Sequence, residues 1–166
     1  KEIMHINDIK LKGLHNLENI IASSLVGMIA LVTARSIRDT VRKFTALEHR
    51  FETVAVIEGV EYIDDSKSTT VDSTKRALES CSKPVILIAG GKDKHSDYSV
   101  VKNVVEDKVR HVVLIGEASG AIKKALIESA LIHEAGNMDE AVEMSSKLAK
   151  DGWMVLLSPM CSSFDM

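Results

Sequence analysis

Between Asn16 and Val32, apolar residues fall at Leu17, Ile20, Ile21, Leu25, Met28, Ile29 and Val32. Spacings of mostly three and four put one continuous apolar stripe on a helix. A second, shorter helix is expected to begin at Ser36, whose hydroxyl can cap the exposed N–H groups near Asp39, with Ile37, Val41 and Phe44 as its buried face. Two helices joined by a short turn have little to pack on within themselves, so this pair is expected to belong to a preceding domain. After Ala46 the period changes. Phe51 to Ile57 is rich in β-branched residues, Glu58-Gly59 is a turn signal, and Val60 to Ile63 returns as a second strand.

From there strands and helices alternate. Helices are predicted over Val71–Glu79, Asp97–Val105, Ser119–Glu128 and Met138–Ala149, and strands over Val85–Ala89, His111–Ile115, Leu131–Glu134 and Met154–Leu157. The segments PVILIAGG and HVVLIGE are almost wholly apolar, as strands covered on both faces must be. The expected architecture is α/β: an open, mostly parallel, Rossmann-like sheet with flanking helices and right-handed crossovers, its opening hairpin adding one antiparallel strand. The expected division is a helical segment over residues 1–46 and the α/β domain over residues 47–166.

Composition narrows the function. At 166 residues, with 45% hydrophobic and 27% charged residues, the chain can bury a core of its own. An aromatic share of 4% is too sparse for a base-stacking platform, and a net charge of -3 offers no attraction to a polyanion, so nucleic acid is not an expected partner. Cys81 and Cys161 stand far apart with no CxxC pair or histidine cluster, which argues against zinc and for a reducing, cytoplasmic setting. The most apolar stretch, Ile20 to Val32, is too short and too interrupted to span a bilayer. The chain begins at Lys1 and ends in CSSFDM, and is expected to be a fragment.

Ligands on open α/β sheets sit beyond the carboxyl ends of the strands. That rule selects Asp64–Thr70, Gly90–Ser96, Gly116–Gly120 and Ser158–Ser163. In Gly90-Gly91-Lys92-Asp93-Lys94, paired glycines let a ligand approach the backbone and two lysines can hold an anion. By itself this run reads first as a strand-end turn with solvated lysines, and it is neither a P-loop nor a dinucleotide fingerprint. Gly116–Gly120 offers no cation and reads as a turn and helix cap. Asp64 and Asp65 could bind a metal, accept from ribose hydroxyls or cap the next helix, and Lys67 and Thr69 add a cation and a hydroxyl. His15, Asn16 and Asn19 lie on one helical turn, with Asn16 at or near the cap; by themselves they read as a capped surface helix, although an amide such as Asn19 suits the edge of an adenine. Cys161 has no base beside it in sequence and reads as a buried bystander; His95, His111 and His133 read as ordinary loop or surface histidines.

Taken in order, LKGLHNLEN, ALEHRFE, IDDSKSTT, ILIAGGKDK and LLSPMCSSFD resemble the Mur ligase family, over the tail of its central ATPase domain and most of its C-terminal domain. The Asp-Ser-Lys-x-Thr run and the Leu-Ser-Pro-x-x-x-Ser ending resemble the branch that adds D-glutamate. That resemblance implies a peptidoglycan-synthesis enzyme using ATP and magnesium to phosphorylate the carboxylate of UDP-N-acetylmuramoyl-L-alanine, after which the amine of D-glutamate attacks the acyl phosphate. It also implies roles. Asn16 and Asn19 match residues near adenine with His15 beside them, while Arg50 and Asp65 match groups holding the nucleotide. Thr69, Lys94 and Ser163 match the D-glutamate pocket, with Lys67 nearby in the same motif and His49 in the hinge before Arg50. Thr70 stands where the family often has Asn, and Lys92-Asp93 replaces other residues common in the lysine loop.

The UDP-sugar-binding domain, the phosphate-gripping glycine loop and the magnesium ligands of the family fall outside this sequence. No catalytic residue or metal ligand is therefore expected in it. The chain alone is expected to fold from about Arg50 onward without turning over substrate, its partners being these small molecules and the missing domains. Two alternatives stand beside this reading: another Mur-type or folylpolyglutamate-type amide ligase, and a non-catalytic α/β module binding a nucleotide or anion.

Overall fold

The structure of the protein, a computed structural model, describes residues 3–11, 13–45 and 47–162, and of Leu14 and His15 the backbone alone. The chain divides into two compact units, Lys1–Leu47 and Glu48–Met166.

The first unit holds two helices, α1 (Leu14–Ile29) and α2 (Ala34–Lys43). Helix α1 starts two residues before the expected Asn16, behind Gly13 at φ 97°, a conformation that glycine adopts without strain. Asn16 is therefore inside the first turn and is not its cap. The cap of α2 is also different from the one expected: the Thr33 hydroxyl accepts from the Ser36 N–H at 3.2 Å, so the helix opens two residues ahead of Ser36. Of its expected apolar face only Ile37 is buried, at 8% exposure, while Val41 is half-buried and Phe44 lies past the last turn at 46%. Ile37 packs against Gly27 of α1, where a Cβ would stand 3.5 Å from Ile37 Cδ1, an ordinary contact distance. Ile3, Ile6 and Ile9 face Leu17, Ile20 and Ile21 across an apolar groove of about 360 Å³. Arg38 holds that leading segment through the Ile3 carbonyl, and Arg42 through Asp8.

The second unit is a six-stranded sheet with strands β1 (Glu52–Ile57), β2 (Val60–Asp64), β3 (Val85–Gly90), β4 (Val109–Ile115), β5 (Leu131–Glu134) and β6 (Met154–Met160). The order is β1-β2-β6-β3-β4-β5. Only β1 runs antiparallel, joined to β2 through Glu58 and Gly59, both at positive φ as a tight hairpin turn requires. Helices α3 (Val71–Glu79), α4 (Lys102–Lys108), α5 (Ser119–Leu126) and α6 (Met138–Leu148) make the crossovers. One core packs Leu87, Leu114 and Leu156 against Leu78, Ile122 and Leu126; another packs Ile86, Val113 and Val155 around Ala141 of α6. Each such side chain removed from water contributes about 1.5–3 kcal/mol. Burial of every residue of β3 explains its unbroken apolar run.

Two expected elements and one pair of side chains differ. Asp97–Val105 is a 3-10 turn, Tyr98–Val101, followed by α4, because Asp97 turns back to accept from the Ser99 N–H and sets a tighter entry. Strand β6 runs three residues beyond Leu157. It does so through a bulge: Ile88 pairs with Leu157 and Gly90 with Met160, so Ser158 and Pro159 oppose one residue of β3. A bulge accommodates the proline, which has no N–H for the ladder. His111 and His133 are half-buried partners on neighbouring strands, their ring nitrogens 3.1 Å apart near Trp153, and not surface groups.

Candidate functional site

Strand order decides what the loops can do. With β6 lying between β2 and β3, three of the four selected loops leave the sheet side by side at its carboxyl edge. Residues distant in sequence are thereby brought together, and the contacts are specific.

The loop after β2 begins at Asp64. Its Oδ1 accepts from the Ser66 N–H at 2.9 Å, and its Oδ2 lies 2.7 Å from Nδ1 of His49. Burial alone would push the Asp64 carboxyl up, but the hydrogen bonds from His49 and Ser66 outweigh it and hold it below its ordinary 3.8. The same bond, with the Asp64 charge, raises His49 above 6.5. Asp65 is buried at 6%, with Oδ1 accepting from the Phe51 N–H at 3.1 Å and Oδ2 from the Ser158 hydroxyl at 3.1 Å. Ser158 shares a further 2.8 Å bond with Thr74. It is a buried strand residue, where the sequence had placed it in a loop after the last strand.

These two acids fix the segment that carries Arg50. The His49 N–H donates to Glu52 at 2.9 Å, its carbonyl accepts from the Lys67 N–H at 3.2 Å, and the Phe51 N–H is held by Asp65. His49 and Phe51, on either side of Arg50, both have positive φ, 64° and 50°. Such backbone is uncommon for non-glycine residues and persists here because neighbouring bonds over-determine it. The Arg50 side chain is exposed at this clamped turn, and Lys67 is exposed on the adjoining loop.

Further along the loop, Thr69 is half-buried and Thr70 caps α3 in a reciprocal capping box with Ser73. The Thr69 carbonyl accepts from Nζ of Lys94 at 3.2 Å. Lys94 comes from the turn after β3, so two expected pocket residues from different strand ends are neighbours. Glycine makes that turn possible. Gly90 and Gly91 have φ of 128° and 123°, and a Cβ on them would fall 1.9 Å from the Ile115 carbonyl and 2.4 Å from the Ser162 carbonyl. The Lys92 N–H donates to that Ser162 carbonyl at 2.9 Å, and the Met160 N–H to the Ser68 carbonyl at 3.0 Å. The ends of β2, β3 and β6 are thus stitched together around Lys94.

Ser163, the third expected pocket residue, lies outside the described residues; Ser162 beside it is in place against Lys92. Asn16, half-buried, and Asn19, exposed, lie one turn apart on α1 in the first unit with His15 before them, its side chain outside the description. Cys161 is fully buried and hydrogen-bonded to Tyr98, which is not the setting of an accessible nucleophile. Sequence reasoning missed three participants: Ser158 as the anchor of Asp65, Asp64 as the partner of His49, and Tyr98 beneath the lysine turn. Each acts through a partner distant in sequence or across a turn, so no local signal marked it. Among the described residues, His49, Glu52 and Asp64 form the one group of three side chains close enough to share an ion. Its imidazole is already bonded to a carboxylate, a poor match to the all-oxygen shell of magnesium.

Known proteins agree with this architecture. The family profile described as Mur ligase, glutamate ligase domain, matches residues 49–161. The UDP-N-acetylmuramoylalanine–D-glutamate ligase of Koribacter versatilis is 44% identical over 99% of this chain, which spans 36% of that enzyme. The ligase of the same name from Geobacter sp. strain M21 is 46% identical over 95% of this chain and 35% of its own length. This chain therefore spans little more than a third of the curated relatives it matches. Two solved structures share the fold at low identity. Folylpolyglutamate synthase of Mycobacterium tuberculosis, complexed with ADP, has a TM-score of 0.74 at 13% identity, over 92% of this chain and 39% of its own. MurF of Acinetobacter baumannii scores 0.71 at 16%, over 91% and 35%. A profile that runs from the clamped turn at His49 to the buried thiol at Cys161 covers the stitched rim up to, but not including, Ser162, and the chain belongs to the Mur ligase family through its glutamate ligase domain.

Proposed function

We propose that this chain is the amino-acid-binding part of an ATP-dependent ligase that joins D-glutamate to UDP-N-acetylmuramoyl-L-alanine in peptidoglycan synthesis. One observation carries the reading: Lys94 and Thr69, from different strand ends, meet at 3.2 Å on the carboxyl edge of the sheet. An ammonium has three donors, and this bond uses one. The others, with the Thr69 and Ser163 hydroxyls, suit the two carboxylates of glutamate, and Lys67 adds positive charge on the same rim. The names of the relatives that match nearly all of this chain support the same substrate.

In this reading ATP supplies the phosphoryl group that turns a poor leaving group into a good one, by way of an acyl phosphate. The residues of this chain bind and orient. Lys94 anchors the incoming amino acid so that its amine, and not a side-chain carboxylate, faces the activated carbonyl; holding that geometry is itself a large part of the acceleration. Arg50, exposed on a turn with little freedom, is built to meet a phosphate or ribose. Asp65 serves the nucleotide segment by fixing Phe51, next to Arg50. Asn16 and Asn19 are amides suited to an adenine edge. Magnesium is assigned to residues outside this chain. Residues 1–46 are assigned to the tail of an ATP-binding domain and residues 47–166 to the amino-acid-binding domain.

The test is Lys94→Ala in the full-length ligase that carries this chain. The KM for D-glutamate should rise by about 10- to 100-fold, the loss expected for a charge-assisted contact, with the KM for ATP nearly unchanged. An unchanged KM for D-glutamate, or preference of the wild-type enzyme for another amino acid in direct competition, would refute the assignment.

A further inference from the structure

Beneath the lysine turn lies a side-chain relay that the substrate reading does not use. Tyr98 is 4% exposed and Cys161 fully buried, yet the tyrosine hydroxyl is within hydrogen-bond distance of two groups. It donates to Oδ1 of Asp93 at 2.8 Å and lies 3.2 Å from Sγ of Cys161. The proton directions follow from chemistry. An ionised carboxylate only accepts, so the single phenolic proton points at Asp93, and the thiol of Cys161 donates to the phenolic oxygen.

The oxygen that receives this proton has a second task. Oδ1 of Asp93 also accepts from the His95 N–H at 2.8 Å, closing an Asx turn over Lys94. His95 has φ of 54°, so the turn is tight and depends on that bond. Lys94 is thus bracketed by two residues tied to one atom, and Tyr98 fixes where that atom sits. Through Cys161 the same hydroxyl reaches the end of β6, where the Ser162 carbonyl holds the Lys92 N–H at 2.9 Å. Two tethers, one of backbone and one of side chains, bind the lysine turn to the last strand. The hydrogen bonds from Tyr98 and then from His95 keep the Asp93 carboxyl below its ordinary range, so it stays anionic beside the lysine.

We propose that Tyr98 is a positioning residue for amino-acid binding: its hydroxyl pins the Asp93 carboxylate into the Asx turn, which aims Lys94 at the substrate and keeps that carboxylate from occupying the lysine itself. This extends the functional reading above and rests on Lys94 being the anchor of an acidic amino acid. Asp93 is adjacent to Lys94, so once released it competes for the same ammonium as a substrate carboxylate. Phenylalanine would fill the same space in the core and lose only the hydroxyl, so the effect separates from packing.

The experiment is steady-state kinetics on the full-length ligase with Tyr98→Phe, Asp93→Asn and the double variant, beside thermal unfolding of each. Tyr98→Phe should raise the KM for D-glutamate by about tenfold, the effect of one hydrogen bond to a charged group, with kcat and the KM for ATP within about twofold. Asparagine keeps the Asx turn without the charge, so the double variant should return the KM to within about threefold of wild type. A Tyr98→Phe enzyme with unchanged KM for D-glutamate would overturn the inference. So would a parallel fall in kcat and ATP affinity, or failure of Asp93→Asn to restore binding, since either would mark Tyr98 as merely structural. If the wild-type ligase takes a different amino acid, the substrate assignment fails, and the same three variants assayed with that amino acid still decide the role of Tyr98.

Discussion

The two units handle apolar surface in opposite ways. In the second, Leu87, Leu114 and Leu156 are fully buried between helices. In the first, Leu25 is 56% exposed, Ile29 81% and Leu31 90%, although apolar residues recur along the whole helix that carries Leu25 and Ile29. A stripe closes only when something is laid across it. The sheet presents two faces to four helices and buries the apolar residues of its central strands, leaving Val54, Val56 and Ile57 of edge strand β1 and Leu131 of edge strand β5 exposed; two helices and a short leading segment leave a groove. Regular patterning therefore reports that a segment is a helix, not that its face is covered. The candidate rim lies in the unit built on the sheet, where fixed strand ends can hold loops to within a hydrogen bond.

The sharpest break of this comparison is a matched pair of truncations in the 166-residue chain. Leu114→Ala should cost about 3 kcal/mol in urea unfolding, within the usual range for a buried leucine, whereas Leu25→Ala should cost under about 1 kcal/mol. Equal costs would mean that the groove is closed in solution. Next comes polar burial. Ser158→Ala removes a partner of both Asp65 and Thr74 and should cost about 2 kcal/mol, while the exposed Ser23→Ala should stay within about 0.5 kcal/mol. The helix caps sharpen the contrast further. Thr70→Ala and Thr33→Ala should each weaken their helix by about 1 kcal/mol. The first should lower the main unfolding transition, and the second should show only as faster amide exchange in α2, because a small open unit unfolds locally.

The smallest effect is one of pH. His49 is raised above 6.5 by Asp64, so its contribution is complete below that value and is lost as pH climbs through the raised pKa. Asp64 is lowered below 3.8, so its contribution is present above that value and is lost as pH falls through the lowered pKa. The pair should hold the Arg50 turn best between those limits. An NMR titration of the His49 ring should give a midpoint above 6.5, falling back toward 6.5 in Asp64→Asn. A midpoint at the ordinary value in the wild type would show that the pair does not persist in solution.

Much of the second unit could be read directly. Val71–Glu79 and Leu131–Glu134 were located to the residue, because Thr70 at the head of the first is a local cap signal and the second fills the short interval between two helical stretches. The end of β6 was not, because Pro159 reads as a strand breaker until a bulge against β3 is seen to accommodate it. The lysine turn was legible as paired glycines and cations, and the Asp64–Thr70 loop as a polar strand end. That Lys94 reaches Thr69 and not solvent was invisible, since it depends on β6 inserting between β2 and β3. Tyr98 looked like the opening of an ordinary amphipathic helix; only its fold neighbours reveal a hydroxyl aimed at Asp93.

What the sequence by itself determined was periodicity and chemistry: which stretches are helix or strand, which runs must be buried on both faces, and which loops carry cations and hydroxyls. Those follow from interactions within a few residues, where φ/ψ preferences and side-chain period act. Strand order and the pairing of loop ends belong to the tertiary structure alone. A parallel strand finds its neighbour through a crossover that nothing in its own sequence specifies, and that choice of neighbour put Thr69, Lys94 and Ser162 on one rim, with Tyr98 beneath them.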